Sequence, residues 1–250
     1  SVEGVRVVYT GLATTPSMME FCRSSLDCDG AAMVTASHLP VERNGFKFFT
    51  KLSGGLSKPR MTQLVENAKS CAVMLHDTGI LPPTSGEGAV FCSEWVDWMP
   101  HYARTLREAI LREVTSDLKD EEQSEVTLPL AGLRIVLNAG NGSGGFFYEV
   151  LRELGADVSA SLHLIADGDF PEGVPNPEYA PMIEETRRAC EEANADLGIM
   201  FDTDADRSGF IAPRRVAADG TCLQYEELNR NRLIALLAVV FAKSSPGCAV

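Results

Sequence analysis

The sequence predicts an α/β protein with mixed or parallel sheets flanked by helices. Short apolar runs alternate with helix-length segments over Leu133–Asn138, Phe146–Leu154, Asp157–His163, Tyr179–Asn194 and Asp196–Phe201. That alternation is the rhythm of βαβ units. Two apolar runs, residues 30–35 and 196–201, end in loops dense with polar and charged groups. Open α/β sheets bind their ligands at such strand ends. With 250 residues and 45% hydrophobic content, the chain is long for one domain and comfortable for two.

The elements follow in order. Val5–Tyr9 reads as a strand and residues 16–26 as a helix after the Thr15-Pro16 start. Gly30–Thr35 is a strand running into a Ser-His loop. Met61–Cys71 is helical, with Thr62 as its cap. Pro82-Pro83-Thr84-Ser85-Gly86 is a loop closing the first unit. Trp95, Trp98, Tyr102, Leu106, Ile110 and Val114 recur at helical spacing, so 95–114 is read as a helix with its aromatics in the core. Residues 116–125 are acidic and read as a solvated connector. After the alternating segments, Leu233–Ala242 is a ten-residue apolar run. It is too short to span a bilayer, which needs about 20 residues, and is read as a core helix. Gly247–Val250 looks like the start of another strand.

Net charge is −13, which argues against nucleic acid or an anionic membrane as partner. A local basic group, Arg43, Lys47, Lys51, Lys58 and Arg60, still surrounds the Ser-His loop and suits a small anion. Seven cysteines without a CxxC pair point to reduced thiols and an intracellular setting, cytoplasm or plastid. No secretory signal is visible.

The densest chemistry lies in Phe201-Asp202-Thr203-Asp204-Ala205-Asp206-Arg207-Ser208-Gly209. Three carboxylates at alternate positions repel one another, and a divalent cation is the usual way to hold them together. An oxygen-only donor set suits a hard ion such as Mg²⁺. Arg207 can hold an anion beside it. An EF-hand reading fails, because loop positions six and twelve carry Arg207 and Pro213 instead of Gly and Glu. Upstream, Thr35-Ala36-Ser37-His38-Leu39-Pro40 offers a candidate nucleophile, Ser37, beside His38. The Asn44-Gly45 turn then leads to Lys47, a point charge suited to phosphate and able to act as acid or base. His76, His101 and His163 have no zinc spacing and are read as structural. Asp167, Asp169 and Glu178 are assigned to turns and caps.

A rival signal is Gly140-Asn141-Gly142-Ser143-Gly144-Gly145. It satisfies the dinucleotide fingerprint between a strand and a helix, with Asp157 near the acidic position. A nicotinamide-dependent oxidoreductase is the formal alternative that it raises.

Four motifs in order resemble those of the α-D-phosphohexomutases, the family of phosphoglucomutase and phosphomannomutase. Thr35–Pro40 with Asn44–Lys47 is similar to the family's phosphoserine loop, and Asp202–Arg207 to its metal loop. Gly11–Pro16 resembles the G-x-x-T-T-P segment. Asp167–Pro171 with Pro175–Glu178 resembles the D-G-x-F-P…P-N-P-E segment. Leu39 departs from the family's common Asn, and the stretch from Ser37 to Lys51 looks closest to the eukaryotic phosphoglucomutase-like branch. The resemblance implies consecutive α/β/α domains: 1–94 as the end of domain I, 95–219 as domain II and 220–250 as the start of domain III. It thus implies a fragment, inactive alone. It also implies roles. Ser37 would carry the phosphoryl group, and Ser37, Asp202, Asp204 and Asp206 would hold Mg²⁺. Arg207 and Lys47 would contact phosphate, and His38 and Lys47 would assist proton transfer. The expected reaction interconverts hexose 1- and 6-phosphates, of glucose or mannose, through a 1,6-bisphosphate, with glucose 1,6-bisphosphate as activator. A catalytically silent phosphosugar-binding relative and a metal-dependent phosphatase are the other readings.

Overall fold

The computed structural model describes residues 6–24, 28–40, 42–52, 54–78, 94–116, 118, 125–218, 222–244 and 247. Residues 82–86, most of the 116–125 connector and the expected final strand lie outside them. Contacts divide the chain into two units, Ser1–Thr35 with Gly45–Tyr102, and Ala36–Asn44 with Ala103–Val250.

In the first unit β1 (Val8–Tyr9) pairs in parallel with β5 (Glu94–Trp95). An antiparallel sheet runs in the order β2 (Gly30–Val34), β3 (Phe46–Thr50), β4 (Gly54–Gly55). Helix α1 (Thr15–Ser24) opens with a reciprocal cap: Thr14 N–H donates to Ser17 Oγ at 3.0 Å, and Ser17 N–H donates to Thr14 Oγ1 at 3.1 Å. Both satisfy amides that the first helical turn leaves without intrahelical acceptors. The helix buries Met18, Phe21 and Cys22, with Met18 and Cys22 clustered around Phe49 of β3. Trp98 stands edge-on to Phe21 with centroids 5.0 Å apart, and its indole N–H donates to Ser17 O at 3.0 Å. The expected core role of Trp98 is therefore observed.

Trp95 differs: it lies in β5 and is 62% exposed. The expected helix over 95–114 begins only at Met99, as α3 (Met99–Val114). Val96 N–H is drawn to Tyr9 O at 3.0 Å, which extends the strand pairing. Pro100 then takes a first-turn position, where its missing N–H costs nothing. Helix α2 (Lys58–Thr78) is longer than expected. Thr62 sits inside it, donating its hydroxyl to Lys58 O at 3.1 Å instead of capping it.

The Cys22 thiol is fully buried, and burial, followed by the neighbouring Cys28 thiol, pushes it up to about 11. Only the thiolate is nucleophilic. Iodoacetamide at pH 8 should therefore modify the exposed Cys71 and leave Cys22 untouched. The Cys22 rate should climb about tenfold per pH unit until roughly pH 11, read by peptide mass spectrometry. Labelling of Cys22 at the Cys71 rate would contradict this packing.

The second unit holds a mixed four-stranded sheet in the order β6 (Ile135–Asn138), β7 (Leu197–Phe201), β8 (Ser208–Val216), β9 (Cys222–Glu227). Strands β6 and β7 are parallel, and the remaining pairs are antiparallel. A 3₁₀ turn (Ser143–Phe146) leads into α4 (Phe147–Glu153), and α5 (Ala180–Ala193) precedes β7. All of β6 is buried, as a strand covered on both faces requires. Val136, Met200 and Ile211 pack on one side with Met182 and Cys190 of α5. Ile135, Leu137 and Ile199 pack on the other with Leu151 of α4 and Val158. This alternation builds an α/β/α layering. Asn194 closes α5 in the left-handed conformation at φ 48°.

Two expectations are corrected here. Asp157–His163 does not form a strand ladder; only isolated bridges join Asp157 to Arg134 and Leu162 to Asn138. The Asp157 carboxylate accepts from Ser159 Oγ at 2.7 Å and Ser159 N–H at 3.1 Å, and this local turn competes with the ladder. The same two bonds hold the Asp157 carboxyl below its ordinary value. The Leu233–Ala242 run is helical, within α6 (Arg230–Ser244), but Ile234, Leu236, Leu237, Val239, Val240 and Phe241 are exposed. A helix apolar on every side needs cover on every side, and the described residues do not supply it. No described helix is long and apolar enough to cross a membrane.

Candidate active site

The acidic segment is the loop of the hairpin formed by β7 and β8. Phe201 pairs with Ser208, so residues 202–207 turn within a short span. Ala205 makes the turn with φ 54°. Asp202 and Asp204 are buried at 0% and 1% exposure, and Asp206 reaches solvent. One oxygen from each of the three lies within 4.8 Å of the others.

Asp202 is the hub of this loop. Its Oδ1 accepts from the backbone N–H groups of Arg207 at 3.1 Å and Asp206 at 3.2 Å. Its Oδ2 accepts from Arg207 Nε at 3.0 Å, with Arg207 Nη2 2.9 Å away. Burial raises the Asp202 carboxyl above its ordinary value, and the Asp204 and Asp206 carboxylates add to the rise. The Arg207 amide and guanidinium pull the other way. Three crowded carboxylates, two of them buried and one open to solvent, fit a hard divalent cation, which would remove the repulsion that one arginine offsets only in part.

Ser37 meets this loop across 165 sequence positions, its hydroxyl donating to Asp202 Oδ2 at 3.3 Å. His38 Nδ1 lies 3.3 Å from the same hydroxyl. When Asp202 takes the hydroxyl proton, His38 must present Nδ1–H to the oxygen. Ser37 sits in the left-handed region at φ 53°. Lys47 lies on β3 in the first unit, opposite Met33, and half-buried. The structure thus brings Ser37, His38, Asp202, Asp204, Asp206 and Arg207 together within one unit and places Lys47 in the other.

The sequence reading missed several residues of this neighbourhood. Asn176 Oδ1 accepts from Arg207 Nη1 at 3.4 Å and from Glu178 N–H at 3.0 Å. It ties the Pro175–Glu178 segment to the acidic loop. Its signal was the family-like motif, which the sequence reading assigned to turn formation only. Asp169 N–H does bond Asp167 Oδ1 at 2.9 Å, the expected turn, while Glu178 pairs with Arg230. His163 pairs with Glu185 at 2.8 Å.

The glycine-rich turn, Gly140–Gly145, has its leading amides already engaged. Gly140 N–H donates to Asn138 Oδ1, Asn141 N–H to His163 O, Gly142 N–H to Ala139 O and Ser143 N–H to Thr203 O. A Cβ on Gly145 would fall 1.8 Å from Leu164 O. These glycines serve close packing, and amides so engaged do not face a pyrophosphate. The dinucleotide reading loses its physical basis.

Comparison with known proteins follows the same line. Residues 2–72 match phosphoglucomutase/phosphomannomutase α/β/α domain I, and residues 112–215 match domain II. The chain is 28% identical to a phosphomannomutase of Salmonella typhimurium, over 99% of this chain and 48% of that protein. It is 32% identical to a phosphoglucosamine mutase of Trichormus variabilis, over 89% of this chain and 40% of that protein. Both relatives are bacterial, and neither bears out the eukaryotic-like branch. The chain spans about half the length of the curated relatives it matches. A crystal structure of a phosphoglucomutase/phosphomannomutase family protein from Burkholderia thailandensis superposes with TM-score 0.66 at 23% identity, covering 98% of this chain and 46% of that one. That likeness speaks for the fold alone. With both domain descriptions, the mixed α/β/α architecture and the four sequence motifs in agreement, the chain belongs to the phosphoglucomutase/phosphomannomutase family of α-D-phosphohexomutases.

Proposed function

We propose that this chain carries the phosphoryl-transfer machinery of a mutase that interconverts hexose 1-phosphates and hexose 6-phosphates. The observation that carries the reading is the approach of Ser37 to Asp202, 3.3 Å apart, in a group of three carboxylates of which Asp202 and Asp204 are buried. A lone serine is a poor phosphoryl acceptor. One set beside an acidic cluster that suits a divalent cation can bear a phosphate whose charge is neutralised. The relatives named as phosphomannomutase and phosphoglucosamine mutase support a substrate drawn from phosphorylated hexoses or hexosamines. On this reading residues 1–94, 95–219 and 220–250 divide among three successive domains.

Each side chain then has a task. Ser37 Oγ bears the phosphoryl group and gives it to a sugar hydroxyl, forming the 1,6-bisphosphate. The Oγ–P bond breaks, a sugar O–P bond forms, and the sugar hydroxyl loses its proton. His38, 3.3 Å from Ser37 Oγ, is placed to handle protons at that oxygen. After the bisphosphate reorients, Ser37 takes back the other phosphate and the sugar leaves as the isomer. Asp202, Asp204 and Asp206 would hold Mg²⁺, which supplies neutralisation of charge on the phosphate when bound. Arg207, fixed by Asp202 and Asn176, presents its guanidinium to the phosphate. Lys47 is assigned to the reacting phosphate by the family pattern.

The test is phosphopeptide mapping of the full-length protein after incubation with glucose 1,6-bisphosphate and Mg²⁺. The expected result is phosphate on Ser37, discharged by glucose 1-phosphate, mannose 1-phosphate or glucosamine 1-phosphate. The sugar that discharges it fastest names the substrate. No phosphate on Ser37 under any of these conditions would remove the mutase reading and favour a silent phosphosugar-binding relative.

A further inference from the structure

The carboxylate loop has a support on its far side. Ser143, in the 3₁₀ turn before α4, makes two hydrogen bonds to one acceptor, the carbonyl of Thr203. Its N–H donates at 2.9 Å and its Oγ at 3.1 Å. Thr203 is the residue between Asp202 and Asp204. Fixing the Thr203 carbonyl fixes the plane of the peptide that joins it to Asp204. That plane sets the direction in which the Asp204 side chain leaves the loop relative to that of Asp202.

The neighbouring glycines close the grip. A Cβ on Gly142 would fall 2.7 Å from Thr203 O and 3.0 Å from Thr203 Cα. A Cβ on Gly144 would fall 2.7 Å from Phe201 Cδ2. The turn therefore touches both chain neighbours of Asp202, and only glycine permits that approach at 142 and 144. From this geometry we infer that Ser143 is a positioning residue for the three carboxylates. The Gly140–Gly145 turn acts as a clamp that holds the acidic loop in cation-ready spacing against its own repulsion. Preorganised donors bind metal more tightly than donors that must be gathered, and loss of such an outer support typically costs about 10- to 100-fold in affinity. The inference rests on the reading of Asp202, Asp204 and Asp206 as a cation site.

The test titrates Mn²⁺ into the full chain and counts free Mn²⁺ by its room-temperature electron paramagnetic resonance signal. Four proteins are compared: the parent, Asp204→Asn, Ser143→Ala and Ser143→Thr. The parent is expected to bind one Mn²⁺ and Asp204→Asn to lose it. Ser143→Ala should bind about tenfold more weakly, with its thermal melt in chelator close to that of the parent. Ser143→Thr, which keeps the hydroxyl, should recover most of the lost affinity. Parent-like affinity in Ser143→Ala, while Asp204→Asn fails to bind, would overturn the positioning role and leave the cation site standing. Equally weak binding in Ser143→Ala and Ser143→Thr would likewise overturn the role of the hydroxyl. Parent and Asp204→Asn binding alike would overturn both the positioning role and the cation site.

Discussion

Ser37→Ala should carry no phosphate after incubation with the bisphosphate, and mutase turnover of the full-length protein should fall by about 10⁴-fold or more. On the proposed mechanism Ser37 is the covalent phosphate carrier, and removing such a group costs on that order, because the remaining groups have nothing to transfer to or from. The fold should survive. The hydroxyl is half-buried, donates to Asp202 Oδ2 and lies 3.3 Å from His38 Nδ1. Its loss should cost about 2 kcal/mol of stability at most. The two readouts separate chemistry from folding: phosphopeptide mapping and turnover on one side, a denaturant melt on the other. Turnover within tenfold of the parent would mean that phosphate is carried elsewhere.

The second large effect concerns the cation. Saturating Mg²⁺, at about one hundred times its dissociation constant, should stabilise the parent by about 2.7 kcal/mol. For a chain of this size that is a rise in Tm of roughly 5–10 °C. In Asp204→Asn the rise should vanish, yet without metal the variant should melt no lower than the parent. The sign of the second effect is the informative one. Asp204 is buried at 1% exposure beside another fully buried carboxylate, so neutralising it relieves like-charge repulsion. Asp202 would be the wrong residue to change, since it also holds Arg207 and Ser37. Changing it would remove the main acceptor of the half-buried Arg207 guanidinium and mix a folding effect into the metal readout. Differential scanning calorimetry in chelator and in Mg²⁺ reads both effects. A Mg²⁺-dependent rise retained in Asp204→Asn would move the cation site away from this loop.

The chemistry-bearing loops were legible in the sequence because they violate what a folded chain ordinarily tolerates. Three acids at alternate positions after an apolar strand have few physical explanations, and the loop proved to be a strand-end hairpin. The alternation over 133–201 located the buried β6 and β7 together with α4 and α5. What failed did so where local and distant terms compete. Asp157 binds Ser159 and breaks a ladder that its neighbours' apolar pattern favours. Trp95 has helical spacing to Trp98, but Tyr9 captures the chain there as strand. Strands β8 and β9 escaped notice, and β8 carries Pro213 beside a register shift, which blurs a period of two. Asn176 and Ser143 escaped for another reason. Their importance lies wholly in partners 31 and 60 positions away, and no local pattern encodes that.

The left-handed backbone at Ser37, φ 53°, sets durability against chemistry at one position. An L-residue held there gives up about 1–2 kcal/mol that glycine would not. The residue that the backbone would choose has no hydroxyl, and the residue that the proposed phosphate transfer needs is one the backbone resists. Glycine at this position would relieve that strain but lose the hydrogen bond to Asp202 and, on the proposed mechanism, the group that carries phosphate. The cost of keeping a serine there is met by the rest of the unit in every molecule.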